Sequence, residues 1–488
     1  MAISFNEVPQ TRTPFLYAEI TSDGAVKNLG QQTYQALLIG QVATGSTVAT
    51  GELVNVVDPE AAATMFGDRS QLAGMVKSYA ANDSNTALWA LPLAEATGAT
   101  AASGSIAVSG SGQGTINLYI AGERIRVAVT SNERASAVAT RLAKAITEHS
   151  SVLVTAEVDE RTNTQINLTA VTKGESGNEI DLRLSYYDGE SLPTGLTLTL
   201  NALTGGGGNP DLTKAWEGLG DEHFNIIVLP YTDASNLRAV DEELSDRWGP
   251  VRMIEGTAFA ATSKAIADAV KFGKTQNSKH ISILASVGSP TPPWCWAAAA
   301  AARVARHGNI DPARPFQTLP LRTILPPPRQ SRLTMRQSDQ LLRSGISTAM
   351  IDSGGVVRIQ RLITTYQTNP AGAEDVAFLD VNTILTLAYI RWDFRTFITN
   401  KYPRHKLADD GTRFGAGQKI VTPKIAKGDA VGRFRQWETS GLVEGGDQFK
   451  KDLIVERNPN DHNRLDFRLS PNIVNQLRIC GVQIAFIL

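Results

Sequence analysis

The pattern of hydrophobic and polar positions divides the chain into stretches of different character. Short, mainly apolar runs occur at residues 34–40 (YQALLIG), 224–229 (FNIIVL) and 281–285 (ISILA). Runs of this length indicate strands of a sheet that is covered on both faces. Helical patterns lie between the runs, and we predict helices at residues 58–79, 233–248, 262–272 and 293–307. This order of strands and helices predicts an α/β core.

Strict alternation of apolar and polar residues begins near residue 95. It occurs in six segments, at residues 105–108, 115–120, 124–129, 164–170, 180–186 and 196–200. Such alternation is typical of antiparallel sheet with one buried face. One amphipathic helix interrupts it at residues 135–146. We therefore predict an inserted β-rich domain at 95–204, followed by a flexible joint at Gly205–Gly208 that returns the chain to the core.

The α/β pattern resumes after this joint and is interrupted at Pro326-Pro327-Pro328, which marks a boundary or a rigid turn. Beyond the prolines, the pattern predicts a strand at 346–351, a long helix at 376–402 and another helix at 423–439. The Thr422-Pro423 pair supports the start of the last helix, since threonine is a good N-cap and proline suits the first helical position.

The two terminal segments combine apolar residues with an extended backbone. In residues 1–22, two prolines exclude a helix, and the apolar positions include Ile3, Phe5, Val8, Phe15 and Tyr17. In residues 476–488, a shift at Gly481 predicts a β-bulge, and the alternating apolar positions are Leu477, Ile479, Val482, Ile484 and Phe486. An unpaired apolar strand edge promotes aggregation. We predict that both segments join other copies of the chain; the alternative for the first is an edge strand of its own domain.

Composition narrows the function classes without identifying one. The 488 residues are enough for several domains, and 47 basic against 48 acidic residues give a net charge of −1. This balance argues against extensive binding to nucleic acid or membrane surfaces. There is no signal-peptide pattern and no apolar run of about 20 residues. The only cysteines, Cys295 and Cys480, lie in apolar settings, which predicts two reduced, buried thiols and folding in a reducing cytoplasm.

No local motif for catalysis, a metal or a cofactor is found. Gly273-Lys274-Thr275 resembles the end of a phosphate-binding loop, but Asp268 stands where the first glycine should be. The six histidines lack metal-ligand spacing, and no HExxH, CxxC or GxSxG occurs. Cys295 has no nearby cation in sequence and is interpreted as structural. We predict no catalytic residue, no cofactor and no metal. The alternative is a cytosolic, hydrolase-like α/β enzyme with a site assembled from distant residues.

Long segments of the chain resemble the tail sheath proteins of Mu-like contractile phages. The similar segments are ISFNEVP…RTPFLYAEI with FGDRSQLAGMVKSYAANDSNTALWALPL, then SIAVSGSGQGTINLYIAGERIRVAVT, and KIVTPKIAKGDAVGRFRQWETSGLVEG through NRLDFRLSPNIVNQLRICGVQIAFIL. The resemblance implies a multidomain α/β and α+β protein. Its expected parts are an N-terminal arm (1–22), an α/β sheath core (23–94 and 205–365), an inserted β-rich outer domain (95–204), a C-terminal α+β domain (366–475) and a C-terminal strand arm (476–488).

The resemblance also implies a function. Sheath subunits form stacked six-membered rings around a tail tube, and contraction of the sheath drives the tube through the host envelope. The implied partners are further copies of the chain, the tail tube protein, and baseplate and tail terminator proteins, with no nucleic acid and no membrane insertion. The implied location is the virion, after assembly in the host cytoplasm. A bacterial contractile particle derived from such a tail is the alternative setting.

The resemblance places the 423–439 helix toward the tube. Its basic residues are Lys424, Lys427, Arg433 and Arg435. We expect them to contact an acidic tube surface; the alternative is an ordinary solvated helix face.

Overall fold

The computed structural model describes residues 32–487. Its strands are β1 Gln35–Gln41, β2 Val54–Asn55, β3 Ala87–Leu93, β4 Ser103–Gly110, β5 Gly114–Ile120, β6 Glu123–Val129, β7 Val154–Val158, β8 Gln165–Ala170, β9 Leu182–Leu184, β10 Leu196–Thr204, β11 Ile226–Val228, β12 Thr257–Thr262, β13 Ile281–Ala285, β14 Ile346–Ile351, β15 Val357–Arg361, β16 Lys406–Leu407, β17 Ile420–Val421, β18 Val443–Glu444, β19 Ile454–Arg457, β20 Leu465–Arg468 and β21 Asn472–Ile473.

Its α-helices are α1 Pro59–Phe66, α2 Gln71–Ala80, α3 Ala135–Glu148, α4 Leu212–Leu219, α5 Ala234–Trp248, α6 Ile266–Gly273, α7 Pro293–Ile310, α8 Met335–Leu342, α9 Val381–Lys401, α10 Pro423–Thr439 and α11 Gly446–Asp452. Two short 3₁₀ helices lie at Glu175–Glu179 and Arg329–Ser331. The described chain forms two compact units. One comprises residues 33–388 with the C-terminal segment from Gln476, and the other comprises residues 389–475.

An eight-stranded sheet is the centre of the larger unit. Its strand order is β15-β14-β13-β12-β11-β1-β3-β2. The six strands from β14 to β3 run parallel, while β15 and β2 pair antiparallel at the two ends. The three apolar runs of the sequence form β1, β11 and β13, as predicted.

Both faces of this sheet are covered by helices. In β1, Ala36 and Leu38 belong to the hydrophobic core that includes α1, α2 and α7. Leu37 and Ile39 belong to the opposite core, which includes α4 and α5. All four side chains are fully buried, which explains why this strand has no polar positions at its centre. The predicted α/β core is confirmed.

The helix predicted over residues 58–79 is two helices instead of one. Gly67 ends α1 with φ +87°, and a Cβ at this position would lie 2.9 Å from the Cβ of Ala43. Ser70 then begins α2, because its side chain accepts a hydrogen bond from the Ala73 backbone N–H. The continuous helical periodicity concealed this break.

The β-rich segment folds as two antiparallel sheets with one helix. The four-stranded sheet has the order β10-β4-β8-β7, and the three-stranded sheet has the order β6-β5-β9. Apolar residues of α3, including Val138, Leu142 and Ile146, are fully buried in the common core. Strands β6 and β8 alternate between buried and exposed residues, as the sequence pattern indicates.

The glycine-rich joint at Gly205–Gly208 is held by hydrogen bonds, so the prediction of a flexible joint is wrong. Gly207 forms a β-bridge with Thr100. The Gly206 N–H donates to the Asn178 side-chain oxygen at 2.8 Å. The segments that enter and leave the insertion are therefore adjacent and are joined by hydrogen bonds.

Glu179 makes the base of the insertion sensitive to pH. The Ser263 hydroxyl donates to its carboxylate at 3.3 Å, and Lys264 and Glu175 are the charged groups nearby. Burial raises the pKa of Glu179 from an ordinary 4.5 to about 7. A raised folded-state pKa favours the protonated, folded form, so stability is highest below pH 4.5 and is lost as pH rises through 7.

We therefore expect Glu179→Gln to match the wild type at pH 4 and to be more stable by about 2 kcal/mol at pH 8. Thermal unfolding at both pH values measures this difference. Glu175→Gln is the matched control, because Glu175 is exposed. Equal stability of Glu179→Gln and the wild type at pH 8 would contradict the expectation.

The smaller unit, residues 389–475, is built around aromatic side chains. The rings of Phe434 and Phe449 stack with centroids 4.0 Å apart, and Phe394 contacts Trp437 and Phe467 edge-on. Its β-structure consists of two-stranded pairs, β16-β17, β18-β21 and β19-β20. Together with the α/β architecture of residues 33–388, these elements confirm the predicted α/β and α+β multidomain class.

Candidate intersubunit surfaces

The C-terminal arm, here residues 476–487, carries six of the exposed large hydrophobic side chains of the described chain. It has no hydrogen-bonded strand partner within the described residues. The exposed fractions of its five predicted contact residues are 74% for Leu477, 86% for Ile479, 81% for Val482, 85% for Ile484 and 78% for Phe486. The predicted strand and its bulge are therefore not formed in the single chain, and pairing with a neighbour stays a prediction.

Exposure of this kind is costly for an isolated subunit. Burying a Leu, Ile, Val or Phe side chain completely contributes about 1.5–3 kcal/mol. Five such side chains amount to on the order of 10 kcal/mol before the entropy of ordering the arm is subtracted. This surface therefore favours binding to a partner. The corresponding N-terminal residues, Ile3, Phe5, Val8, Phe15 and Tyr17, lie outside the described residues.

The β19-β20 hairpin offers a complementary surface. Its strands pair from Ile454 with Arg468 to Arg457 with Leu465. Among the described residues each strand pairs only with the other, so neither outer edge pairs with a further described strand. A two-stranded hairpin is only marginally stable alone, and an open edge is a template for another strand.

Helix α10 is positioned by its own N-terminal signals and by one apolar face. Thr422 caps the helix by accepting from the Ile425 N–H, and Pro423 occupies the first turn. Ala426, Ala430, Phe434 and Trp437 are buried. Their spacing places them on one side, so the opposite side faces away from the core of this unit.

Two of the four predicted tube-facing cations are engaged inside the unit. Arg433 is 12% exposed and forms an ion pair with Asp393, which is 1% exposed. Its Nε donates to a carboxylate oxygen of Asp393 at 2.6 Å. The Lys427 ammonium donates to the Leu453 carbonyl at 2.6 Å. Arg433 is therefore a structural residue, which corrects its assignment to a tube-facing surface.

Lys424 and Arg435 are exposed, and Gly428 and Gly432 lie between them on the same side of α10. No atom would lie within 4 Å of a Cβ at either glycine. The helix therefore presents a strip without side chains, about 16 Å long and with a cation at each end. The glycine spacing of four was visible in the sequence, but its exposure was not.

The insertion contacts the crevice where open α/β sheets bind ligands. The strand order reverses between β1 and β11, and ligands of such folds bind beyond the carboxyl ends of these strands. Here Gln41, at the end of β1, donates to the Lys173 carbonyl at 2.7 Å. Asn209 bridges the Glu175 backbone N–H and the Asp233 carboxylate. Contacts between the insertion and the sheet thus lie where a substrate site is expected.

The part of the chain that the structure describes contains no group of three or more His, Cys, Asp or Glu residues able to hold a metal ion. Burial raises the pKa of the Cys295 thiol to about 12, which disfavours the reactive thiolate. None of the helices among residues 32–487 is long and apolar enough to cross a membrane.

Comparison with known proteins gives three matching family models. They are the phage tail sheath protein β-sandwich domain at residues 82–199, the central domain at 205–365 and the C-terminal domain at 373–487. A curated relative, the Mu-like prophage FluMu tail sheath protein of Haemophilus influenzae, is 42% identical over 492 residues and covers 100% of both chains.

Solved structures with the same fold include a chain of the six-fold symmetrised anti-feeding prophage baseplate. It is 9% identical, with 98% of this chain and 100% of that chain covered and a TM-score of 0.50. A sheath chain of an extracellular contractile injection system in its contracted state is 9% identical, with 98% of each chain covered and a TM-score of 0.45. The comparisons do not support the alternative of an α/β enzyme. The chain belongs to the phage tail sheath protein family and is a subunit of a contractile tail sheath.

Proposed function

We propose that the subunit polymerises helically around a tail tube as stacked six-membered rings, and that contraction of this polymer drives the tube through the host envelope. The observation that carries the proposal is the exposure of five large apolar side chains on the C-terminal arm. A repeated contact between two different patches of one chain generates a ring or a helix. The six-fold symmetry of the structurally similar baseplate supports the ring size.

The C-terminal arm joins copies by adding a strand to the open edge of a neighbour's β19-β20 hairpin. Strand addition supplies main-chain hydrogen bonds, and alternate side chains fix the register. Residues 479–486 span about 26 Å when extended, against about 13 Å for the four residues of β20. The arm is therefore long enough to pair along the whole hairpin. The N-terminal residues Ile3, Phe5, Val8, Phe15 and Tyr17 bind a neighbour in the same way.

This mode of joining suits a contractile polymer. Strand pairing at a chain end can persist while the folded units rotate about it. The sheath is assembled in an extended state of higher free energy, and new contacts between subunits release that energy on contraction. The chain needs no nucleotide for this cycle, because the energy is stored during assembly.

Helix α10 contacts the tube through its exposed strip. The two glycines allow close approach of a partner surface, and Lys424 and Arg435 pair with acidic groups of the tube at either end. Exposed ion pairs contribute only about 0–1 kcal/mol each. Such contacts hold the tube in the assembled tail and release it when the sheath contracts.

Reversing both charges, Lys424→Glu with Arg435→Glu, should reduce copolymerisation with tube protein at least several-fold, since repulsion replaces attraction in every subunit. Co-sedimentation of sheath and tube at physiological salt measures the effect. Arg336→Glu is the control, because Arg336 is exposed on α8. Sheath-only polymers should form as in the wild type. Unchanged tube binding by the double variant would refute a tube contact at this strip.

The further partners and the location follow from the same family. A tail sheath belongs in the virion tail, and we infer assembly in the host cytoplasm with contacts to baseplate and tail terminator proteins. The β-rich insertion, residues 95–204, faces outward from the tube in this arrangement. A bacterial particle derived from a phage tail would use the same contacts.

Electron microscopy of the purified chain tests the proposed function directly. Tubes or stacked rings with six-fold symmetry are expected from the full-length protein alone. A population that stays as discrete monomers or small oligomers at high concentration would overturn the proposal.

A further inference from the structure

The root of the C-terminal arm is bound to its own subunit through Arg478. The guanidinium of Arg478 donates to the Asp380 carboxylate and to the Asn382 side-chain oxygen, each at 3.1 Å. The Arg478 side chain is only 15% exposed, whereas its neighbours Leu477 and Ile479 are 74% and 86% exposed. An extended backbone explains this contrast, because successive side chains point to opposite sides.

The groups that receive Arg478 are themselves fixed. Arg361 of β15 holds the Asp380 carboxylate through two hydrogen bonds of 3.0 Å. The Asn382 side-chain amide donates to the carbonyls of Pro312 and Arg314, both at 2.8 Å. A side chain constrained on this many sides is a rigid attachment point.

The arm beyond this point is different. Residues 479–487 are all exposed, and a Cβ at Gly481 would meet no atom within 4 Å. Glycine also permits more backbone conformations than any other residue. The arm therefore consists of a root at Gln476–Arg478 that is bound to the subunit and a segment of nine residues that is exposed throughout.

We propose that Arg478 is a positioning residue for assembly: it anchors the arm at Asp380 and Asn382, so that the arm bends at Ile479–Gly481 and reaches only neighbouring edges close to this anchor. Nine residues extend at most about 30 Å, and this length limits which hairpin edge the arm can pair with. The anchor also passes load from the paired arm into β15 and α9 during contraction. The role in assembly rests on the proposed function, but the anchor itself does not.

Because Arg361 and Arg478 both bind the Asp380 carboxylate, the contact of Arg478 can be removed without disturbing the fold. When Arg478 leaves, Asp380 keeps its two hydrogen bonds from Arg361, so no buried carboxylate loses its only partner. Loss of Asp380 instead removes the carboxylate that two guanidinium groups share, and Arg478 keeps only the neutral acceptor of Asn382. Variants at Arg478 should therefore change the arm and leave the folded units intact, which makes Arg478 the residue to substitute.

Cys480 provides a probe next to the anchor. Cys480 is exposed, so the expectation of a buried thiol is wrong at this position, whereas burial raises the pKa of Cys295 to about 12. A nitroxide reagent at neutral pH therefore labels Cys480 selectively. In the dilute, unassembled full-length chain, Arg478→Ala should raise the rotational mobility of the label several-fold. Arg478→Lys should give an intermediate mobility, because lysine keeps the charge but lacks the planar fork. Arg336→Ala, an exposed site on α8, should change nothing.

Assembly gives the second readout. Arg478→Ala should raise the protein concentration needed for half-maximal polymerisation about tenfold, since an unanchored arm samples more orientations before it pairs. Its melting temperature should stay within a few degrees of the wild type. Unchanged label mobility in both Arg478 variants would overturn the anchor. A mobility change with unchanged polymerisation would overturn its role in assembly. If the Arg478 variants change the label mobility but the wild-type protein itself never polymerises, the proposed function is refuted and the anchor stands.

Discussion

Ending the chain after Arg478 should abolish tube formation and leave a folded, soluble subunit. The deleted residues, 479–488, include five of the six exposed large apolar side chains of the arm. Their removal uncovers no buried residue of the described chain, because residues 479–487 are exposed throughout. The polymer, by contrast, loses the apolar contacts and the main-chain hydrogen bonds of each added strand. At about 1.5–3 kcal/mol per buried side chain, polymerisation should weaken by several orders of magnitude.

Sedimentation and electron microscopy measure the loss of tubes, and thermal unfolding measures the fold. The matched control keeps the arm length and replaces Val482, Ile484 and Phe486 with serine, which separates side-chain burial from main-chain pairing. The control should also fail to form tubes at ordinary concentrations. Normal tubes from the truncated chain would refute the role of the arm, and an unfolded truncated chain would assign the arm to its own core. Deletion of residues 1–20 should give the same loss of tubes.

Replacing Asp393 with alanine should destabilise the 389–475 unit by about 3–5 kcal/mol. The Asp393 carboxylate accepts hydrogen bonds from Arg433 and from the Trp437 indole N–H, the latter at 2.6 Å. Both Asp393 and Trp437 are almost completely buried. Without the carboxylate, the guanidinium remains in a half-buried site with no counter-charge, and the indole loses its acceptor.

Chemical denaturation followed by tryptophan fluorescence and limited proteolysis of the 389–475 region measures this change. Asp393→Asn should lose less stability, because an amide oxygen still accepts from Trp437. Asp447→Ala should stay within about 1 kcal/mol of the wild type, since Asp447 is exposed on α11. A loss at Asp393→Ala no larger than that of Asp447→Ala would show that the ion pair does not stabilise this unit.

The Asp393–Arg433 ion pair could not be predicted from the sequence, although the helix that carries Arg433 could. The helix at 423–439 was predictable to the residue, because a threonine cap, a proline and a helical apolar pattern agree. The orientation of the Arg433 side chain was not predictable, because its partner Asp393 lies 40 residues away on another helix. A count of basic residues along one helix cannot distinguish a cation that binds a partner from one that neutralises a buried acid.

The same limit applies to the insertion and its joint. Alternation alone predicted strands such as β6 and β8, since each has one buried face. It overestimated the segment at 180–186, of which only Leu182–Leu184 forms a strand. Glycine content suggested flexibility at 205–208, but the segment is fixed by contacts with Thr100 and Asn178. Contacts between residues far apart in sequence, and not local propensity, decide these cases.

For the terminal arms, by contrast, the local sequence pattern was informative. Their apolar pattern was legible in the sequence, and the structure adds the exposure of Leu477, Ile479 and the residues that follow. It also adds the open edges of β19 and β20 and the anchor at Arg478, none of which has a sequence motif. A surface that functions only between copies leaves its hydrogen-bond partners outside the chain, so pattern and exposure together are its main signs.

Cryo-electron microscopy of the polymer formed by the full-length chain tests the central claim most directly. The account predicts a hollow six-fold tube in which residues 479–487 continue as a third strand on the β19-β20 hairpin of a neighbouring copy. Arms that fold back onto their own subunit, or a chain that forms no polymer at all, would contradict it.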